Sequence, residues 1–96
     1  MAELRWAQSA VRDLEQICSF IAEDSDEYAK VFARRIIETI ETTAVFPYSG
    51  RIVPEMNSDM IREKIMSNYR IIYRIKQESI EIVRIIHNAR SSIDLN

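Results

Sequence analysis

The sequence predicts an α+β domain with the order β-α-α-β-β-β, in which an antiparallel αα-hairpin packs on one face of a small, mainly antiparallel sheet. Apolar residues recur every three or four positions through the first half of the chain, which is typical of amphipathic helices. A segment punctuated by proline and glycine ends this period, and three runs rich in β-branched and aromatic residues follow it. Short turns between those runs make neighbouring strands antiparallel.

The length and composition indicate one ordinary globular domain. The chain has 96 residues, of which 47% are hydrophobic and 29% charged, and we expect residues 1–96 to form a single domain. The single cysteine fits a reducing compartment, and neither a signal peptide nor an apolar stretch long enough to span a bilayer is recognisable. We therefore expect a cytoplasmic protein without a cofactor. A metal site is not expected, because the one histidine has no accompanying cysteine cluster.

The first strand and helix are predicted from the first quarter of the chain. Residues 2–7 alternate weakly in polarity and predict a short strand, with Trp6 as a packing anchor. Ser9 is the expected N-cap of a helix of about four turns, because apolar residues follow it at helical spacing. Cys18 lies on that apolar stripe, so we expect it to be a small buried hydrophobe and not a nucleophile.

A second helix follows after a few polar residues, which favours an antiparallel pairing of the two helices. Ser25 or Asp26 is expected to cap its first turn. Pro47 cannot continue a helix and disfavours helical geometry in the residue before it, so the helix should end by Val45 or Phe46.

The second half of the chain predicts a loop and three strands. Gly50, the only glycine, is expected to supply a positive φ in a turn after Pro47. Asn68 is expected to take left-handed geometry in the turn between the first two of these strands. The predicted strands are Ile61–Met66, Tyr69–Lys76 and Ile80 to about His87.

The register of the last hairpin stays open at the level of sequence. A two-residue loop at Gln77-Glu78 would pair Arg74 with Glu81 and put Arg84 on the face of the strand tyrosines. A three-residue loop would instead put Arg84 on the face that carries Arg70, Arg74 and Lys76.

Positive charge is concentrated in the predicted strands. Seven of the thirteen Lys and Arg residues lie between Ile61 and Arg90, although the whole chain has a net charge of -2. Because the predicted helices cover only one face of the sheet, we expect these arginines to be presented on the uncovered face. Such a surface suits an anion, either a nucleic acid or an acidic partner protein.

Several short motifs, taken in order, resemble the ParE/RelE superfamily of bacterial type II toxins over nearly the whole chain. They are Trp6-x-x-x-Ala10, Asp13-Leu14, Pro47-x-x-Gly50-Arg51, Pro54-Glu55, Ile61-Arg62-Glu63, Tyr69-Arg70-Ile71-x-Tyr73 and His87-x-x-Arg90. The resemblance implies a RelE/ParE-like fold and a cognate antitoxin whose extended and helical segment wraps the toxin.

The resemblance implies one of two activities, because RelE-like members cut mRNA in the ribosomal A site and ParE-like members block DNA gyrase without nuclease activity. The Pro-x-x-Gly-Arg loop and the His-x-x-Arg motif look more like the ParE branch. We therefore expect a toxin that inhibits gyrase by binding and is neutralised by its antitoxin. The alternatives are a ribosome-dependent mRNA interferase and an inactive homologue that serves only as an antitoxin-binding co-regulator.

The RelE-like alternative has specific residues to carry it. Arg62 and Lys64 fall where those nucleases carry paired lysines, Arg70 matches the arginine of their Tyr-Arg motif, and Arg90 matches the arginine after their last strand. Those enzymes place a catalytic tyrosine a few residues later, where this sequence has none. His87 could replace it as a general base, because its ordinary pKa lies near physiological pH.

The candidate partner-binding residues are Arg51, Arg62, Lys64, Arg70, Arg74, Arg84 and Arg90. The alternative is that these charges only keep the surface soluble. Glu63 is expected to orient Arg62 through an ion pair, and a structural role for His87 is favoured over catalysis. Tyr69 and Tyr73 alternate with isoleucines, so we expect them to pack in the core.

Overall fold

The computed structural model describes residues 1–88 and confirms the predicted α+β class. The elements, in chain order, are β1 (Glu3–Trp6), α1 (Gln8–Ala22), α2 (Asp26–Val45), a 3-10 turn (Pro47–Ser49), β2 (Arg51–Ile52), β3 (Ile61–Met66), β4 (Tyr69–Ile75) and β5 (Ser79–His87). The strands form one five-stranded sheet in the order β1-β5-β4-β3-β2. The pair β1–β5 is parallel and the other pairs are antiparallel. The two-residue strand β2 was not predicted, because so short an element has no detectable period.

The helix boundaries agree with the sequence signals except at the first cap. The Ser25 hydroxyl accepts from the Tyr28 N–H at 3.0 Å, and α2 ends at Val45, as predicted. The prediction of Ser9 as a cap is wrong, because α1 begins at Gln8. The Ser9 hydroxyl instead donates to the Val83 carbonyl at 2.7 Å and so ties α1 to β5.

The sheet buries apolar side chains on both faces, which corrects the expectation of a partly open second face. The α1–α2 hairpin covers the main core, whose buried members include Phe32, Ile36, Ile40, Ile71, Tyr73, Ile80, Ile82 and Ile85. Trp6 and Cys18 pack against this core, as predicted. The segment 53–60 covers the opposite face, where Val53, Ile61, Ile72, Val83 and Ile86 form a second core. Full burial of a side chain such as Ile72 stabilises the folded state by about 1.5–3 kcal/mol relative to leaving it in solvent.

Two predictions about turn geometry are wrong. Gly50 has φ −74°, so the position does not need a left-handed backbone. A Cβ there would lie 2.4 Å from the Tyr73 hydroxyl, so glycine is required by close approach. In the β3–β4 turn the positive φ, 54°, belongs to Ser67 and not to Asn68.

A bulge settles the register of the last hairpin by combining features of both alternatives. Near the turn Arg74 pairs with Glu81, as a two-residue loop requires. The pairing then shifts between Ile72 and Tyr73, so that Arg84 lies opposite Ile72. No helix in the described part of the chain is long and apolar enough to cross a bilayer.

Candidate functional site

Four charged side chains, two of them buried, form a connected group where the segment 53–60 meets the sheet. We call Arg51, Glu55, Glu63 and Arg70 the Glu63 cluster. The Glu63 side chain is 0% exposed, and its two oxygens accept from the Nε atoms of Arg51 and Arg70, each at 2.5 Å. Arg70 also forms a bidentate pair with Glu55 at 2.9 and 3.0 Å. Two cations therefore face two anions, which is the pairing that burial of charge demands.

Strand register explains why these side chains meet. Glu63 on β3 lies directly opposite Arg51 of β2 and Ile72 of β4. Arg70 is the diagonal neighbour of Glu63 on β4, within reach of a long side chain on the same face. The cluster is thus positioned by the three strands at one end of the sheet.

The ion pair between Arg70 and Glu55 shifts the pKa of both groups. The hydrogen bonds that Arg70 donates to Glu55 are the main cause that raises the pKa of Arg70 above its ordinary value, although burial opposes this shift. The hydrogen bond from Arg70 holds the pKa of Glu55 below its ordinary value. Arg70, with 6% of its side chain exposed, therefore remains a cation whose donors point at the chain's own carboxylates.

The segment 46–52, which we call the 46–52 loop, is tied to the sheet by several side chains. The Tyr73 hydroxyl donates to the Pro47 carbonyl at 2.6 Å and accepts from the Gly50 N–H at 2.9 Å. Arg62 Nη1 donates to the carbonyls of Tyr48 and Gly50 at 3.2 and 3.1 Å. Burial raises the pKa of Tyr73, so this hydroxyl stays protonated and able to donate.

Two more side chains of β3 and the loop complete this attachment. Lys64 Nζ donates to the Ser49 hydroxyl at 3.2 Å. The Arg62 guanidinium carbon lies 5.1 Å from the centre of the Tyr48 ring, which is a cation–π distance. Arg62 Nε donates to the Asp59 carbonyl at 2.9 Å, so this side chain also holds the segment 53–60.

The remaining strand arginines pair with acids at other places. Arg74 and Lys76 lie 3.5 and 3.4 Å from Glu81. Arg84 makes a two-point contact with Asp13 of α1, at 2.7 and 3.2 Å. The Asp13 carboxylate also accepts from the Ile85 N–H at 2.9 Å. This side chain of α1 therefore gives a hydrogen-bond partner to a backbone group of β5 that lies beyond the end of β1.

A groove of about 310 Å³ lies between α1 and the end of β5. Its lining includes Asp13, Ile17, Phe20, Tyr69, Arg84 and His87. The Tyr69 ring packs edge-on against both Phe32 and His87, with centroid distances of 5.2 and 5.3 Å. The predicted core role of Tyr69 and Tyr73 is confirmed, whereas the structural role of His87 stays a prediction.

The structure does not bring the predicted arginines together on one uncovered face. Arg62 and Lys64 pair with Tyr73 and Ile71, which belong to the helix-covered face, whereas Arg70 lies on the opposite face. The expectation of a single arginine-bearing face is wrong for two reasons. Successive residues of a strand point to opposite faces, and several of the arginines form ion pairs with acidic side chains of the same chain. The partner-binding roles of these residues stay predictions, and Arg90 lies outside the described residues.

The alternation of β3 also overturns the expected Glu63–Arg62 pair. Neighbours on a strand project to opposite faces, and Glu63 instead bonds Arg51 and Arg70. Sequence reasoning missed Glu55 as a partner of Arg70, since nothing in a loop sequence fixes where it folds back. Within residues 1–88 no three acidic, histidine or cysteine side chains converge as metal ligands.

Comparison with known proteins agrees with this architecture. The family model described as the ParE toxin of the type II toxin–antitoxin system parDE matches residues 4–91. Toxin RelE2 of Caulobacter vibrioides is 29% identical over 90 residues, covering 94% of this chain and 99% of that protein. The Y4kP protein of Sinorhizobium fredii is 30% identical over 86 residues, covering 88% of this chain and 85% of that protein.

A solved structure of the chromosomal ParDE toxin–antitoxin system from P. aeruginosa shares the fold. It superposes with a TM-score of 0.73 at 22% identity and covers 91% of this chain and 96% of that chain. The family match extends over nearly the whole sequence and includes all the described strands and helices except Glu3, the first residue of β1. The chain therefore belongs to the ParE toxin family of type II toxin–antitoxin systems.

Proposed function

We propose that this toxin inhibits DNA gyrase by binding in the cytoplasm, without cleaving a substrate, and that its cognate antitoxin neutralises it. The observation that carries the proposal is that Arg70 is buried and paired with Glu55 and Glu63. The resemblance to RelE-like nucleases assigns this position to an arginine of the catalytic site. Here both ends of its guanidinium group bond carboxylates of the same chain.

Releasing Arg70 toward a phosphate is energetically unfavourable. The phosphate would have to displace Glu55 and leave the buried Glu63 with one cation fewer. Breaking a buried ion pair by removing one partner costs about 3–5 kcal/mol. This cost opposes the use of Arg70 in RNA cleavage and favours an activity that depends on binding.

The antitoxin half of the proposal is supported by exposed apolar surface. Phe20 projects from α1 with 71% of its surface exposed and lines the groove beside His87. A groove of this shape suits an amphipathic helix or an extended segment of a partner. Membership in the family implies such an antitoxin partner.

A supercoiling assay tests the gyrase proposal. Purified gyrase, ATP and relaxed plasmid are titrated with the toxin, and supercoiled and cleaved plasmid are resolved on a gel. We expect supercoiling to fall with toxin concentration and to recover when the antitoxin is added in equimolar amount. Unaltered supercoiling at saturating toxin would overturn the proposal.

The second candidate is ribosome-dependent mRNA cleavage, which the similarity to Toxin RelE2 favours. Lys64 would carry it together with Arg62, since both occupy the positions of the paired lysines. Primer extension on a translated mRNA gives the decisive readout. Codon-positioned cuts that disappear in Lys64→Ala and Arg90→Ala would replace gyrase inhibition with this activity.

A further inference from the structure

The 46–52 loop has a backbone fixed by the sheet and large side chains left in solvent. Phe46, Tyr48 and Ile52 are 63%, 59% and 45% exposed. Solvent-exposed side chains of this size contribute little to the chain's own core. A cluster of them on one short segment marks a contact surface for another molecule.

The attachment of the loop restricts its conformation before any partner arrives. Tyr73 and Arg62 together hold the carbonyls of Pro47, Tyr48 and Gly50 and the N–H of Gly50. Gly50 permits this because its missing Cβ leaves room for the Tyr73 hydroxyl. A preformed loop loses less conformational entropy on binding, so more of its contact energy appears as affinity.

Arg51 adds a directed cation to this surface. Its Nε is held by the buried Glu63, while its side chain remains 61% exposed. Within residues 1–88 its two terminal nitrogens donate no hydrogen bond to another residue, which leaves their donors available to a partner. An arginine oriented in this way suits a carboxylate, which accepts paired hydrogen bonds from its planar end.

We propose that the 46–52 loop is the surface that meets the toxin's target, a folded protein that offers an apolar pocket to Phe46 and Tyr48 and a carboxylate to Arg51. This inference rests on the proposed function and names the part of the toxin that performs it. Aromatic and arginine side chains at the centre of a contact carry most of the energy of protein–protein binding.

The chemistry of the loop favours a folded protein over a nucleic acid or the antitoxin. Arg62 directs Nε and Nη1 to the chain's own carbonyls, which makes it a poor phosphate ligand. The flexible segment of an antitoxin fits a groove such as the one beside Phe20. A rigid loop with two aromatic side chains matches a preformed pocket instead.

Two variants and two matched controls test the inference with the full-length toxin. Phe46→Ser/Tyr48→Ser removes both aromatic anchors, and Arg51→Gln removes the charge while keeping a donor for Glu63. Tyr28→Ser and Arg34→Gln are the controls, because both residues are exposed on α2 outside the loop. The readouts are gyrase supercoiling, growth arrest on induction, thermal melting, and affinity for the antitoxin encoded beside the toxin.

We expect the half-inhibitory concentration against gyrase to rise at least about tenfold in both loop variants, as for central contact residues. The controls should inhibit like the parent, and antitoxin affinity should be unchanged in every variant. Melting should be unchanged except in Arg51→Gln, whose melting temperature should fall because the buried Glu63 loses one of its two cations. Loop variants that inhibit like the parent would overturn the inference. An antitoxin affinity that falls by the same factor as inhibition would also overturn it, because the loop would then belong to the antitoxin site.

A parent toxin that leaves gyrase unaffected would overturn the gyrase proposal separately. Growth arrest then becomes the readout for the loop. Arrest that is lost in the loop variants and kept in the controls would still support the loop as the target surface. Arrest that persists in the loop variants would overturn the loop assignment as well.

Discussion

The Glu63 carboxylate fixes the positions of two neighbouring arginine side chains, Arg51 and Arg70. This carboxylate is completely buried and is shared between Arg51 and Arg70. Arg70 is thereby held in the interior, whereas Arg51 is oriented at the surface. The difference comes from Glu55, which contacts Arg70 through both carboxylate oxygens and leaves Arg51 outside that pair.

Replacing Glu63 should destabilise the fold. Glu63→Ala leaves the buried Arg70 with one carboxylate instead of two, and we expect a loss of about 3–5 kcal/mol in the free energy of unfolding. Glu63→Gln, which keeps an acceptor, should lose less. Urea unfolding followed by circular dichroism measures both.

Glu15→Ala is the matched control, because Glu15 lies exposed on α1. Its free energy of unfolding should stay within about 0.5 kcal/mol of the parent, as is usual for surface substitutions. A Glu63→Ala variant as stable as this control would contradict the structural role of the cluster.

The Glu55–Arg70 pair predicts a dependence of stability on acid. The pKa of Glu55 is lower in the folded protein than its ordinary value of 4.5, so the folded state binds the proton less readily than the unfolded state. The pair therefore stabilises the fold above pH 4.5 and loses this contribution as the pH falls through the lowered pKa. Unfolding measured from pH 6 to pH 2 should show a shallower acid decline for Glu55→Gln than for the parent.

Glu41→Gln provides the comparison, because Glu41 is an exposed carboxylate on α2. Its acid decline should follow that of the parent. If Glu55→Gln and the parent also lose stability in parallel, the pair makes no pH-dependent contribution.

At the scale of elements, α1 completes the sheet as well as covering it. β1 pairs with β5 only from Ser79 to Ile82. Beyond that point Ser9 and Asp13 of α1 bond the Val83 carbonyl and the Ile85 N–H, so helix side chains replace a missing strand. This substitution protects an edge that would otherwise expose unpaired backbone groups.

Asp13→Ala should loosen the edge of β5. The Ile85 N–H and Arg84 both lose an acceptor, and we expect a loss of about 1–3 kcal/mol because a part-buried donor is left unsatisfied. Hydrogen exchange at the Ile85 amide should accelerate. Asp13→Asn, which keeps an oxygen acceptor, should retain more of the protection, and equal exchange in Asp13→Ala and the parent would refute the contact.

The sequence predicts the helices and the long strands well, because their apolar periods extend over many residues. It fails where one residue decides the outcome. The bulge between Ile72 and Tyr73 determines on which face of the sheet Arg84 lies, and no residue of the turn sequence predicts this bulge. The alternation of side chains along β3 is enough to predict that Arg62 and Glu63 point to opposite faces. The pairing of Arg70 with Glu55 depends on the path of the loop that carries Glu55, and a loop has no periodic pattern from which its path could be predicted.

At the scale of the whole molecule, large apolar side chains are exposed at several places, and two of these are the 46–52 loop and the groove beside Phe20. The groove lies between α1 and the end of β5, whereas the loop consists of Phe46, the 3-10 turn and β2. On the proposed assignments, the toxin would bind an antitoxin segment and a target at separate surfaces. Neutralisation would then require the antitoxin to block access to the target or to hold the toxin away from it.

Antitoxin binding should raise the thermal stability of the toxin. A ligand that binds only the folded state at a concentration of about 100 times its Kd stabilises that state by about 2.7 kcal/mol. We expect the melting temperature of the toxin to rise with antitoxin concentration in differential scanning fluorimetry. An unrelated protein of the same concentration is the control, and equal melting temperatures with and without antitoxin would exclude this coupling.

The parallel pairing of β1 with β5 has a consequence during protein synthesis. Among the described strands β1 pairs with β5, which is translated long after it, since Glu3 lies opposite Ser79. Helices α1 and α2 can pair early, but the sheet closes only once β5 has emerged. The sheet of a growing polypeptide therefore stays incomplete until β5 has been translated, and any activity that needs the folded toxin would begin only after that point.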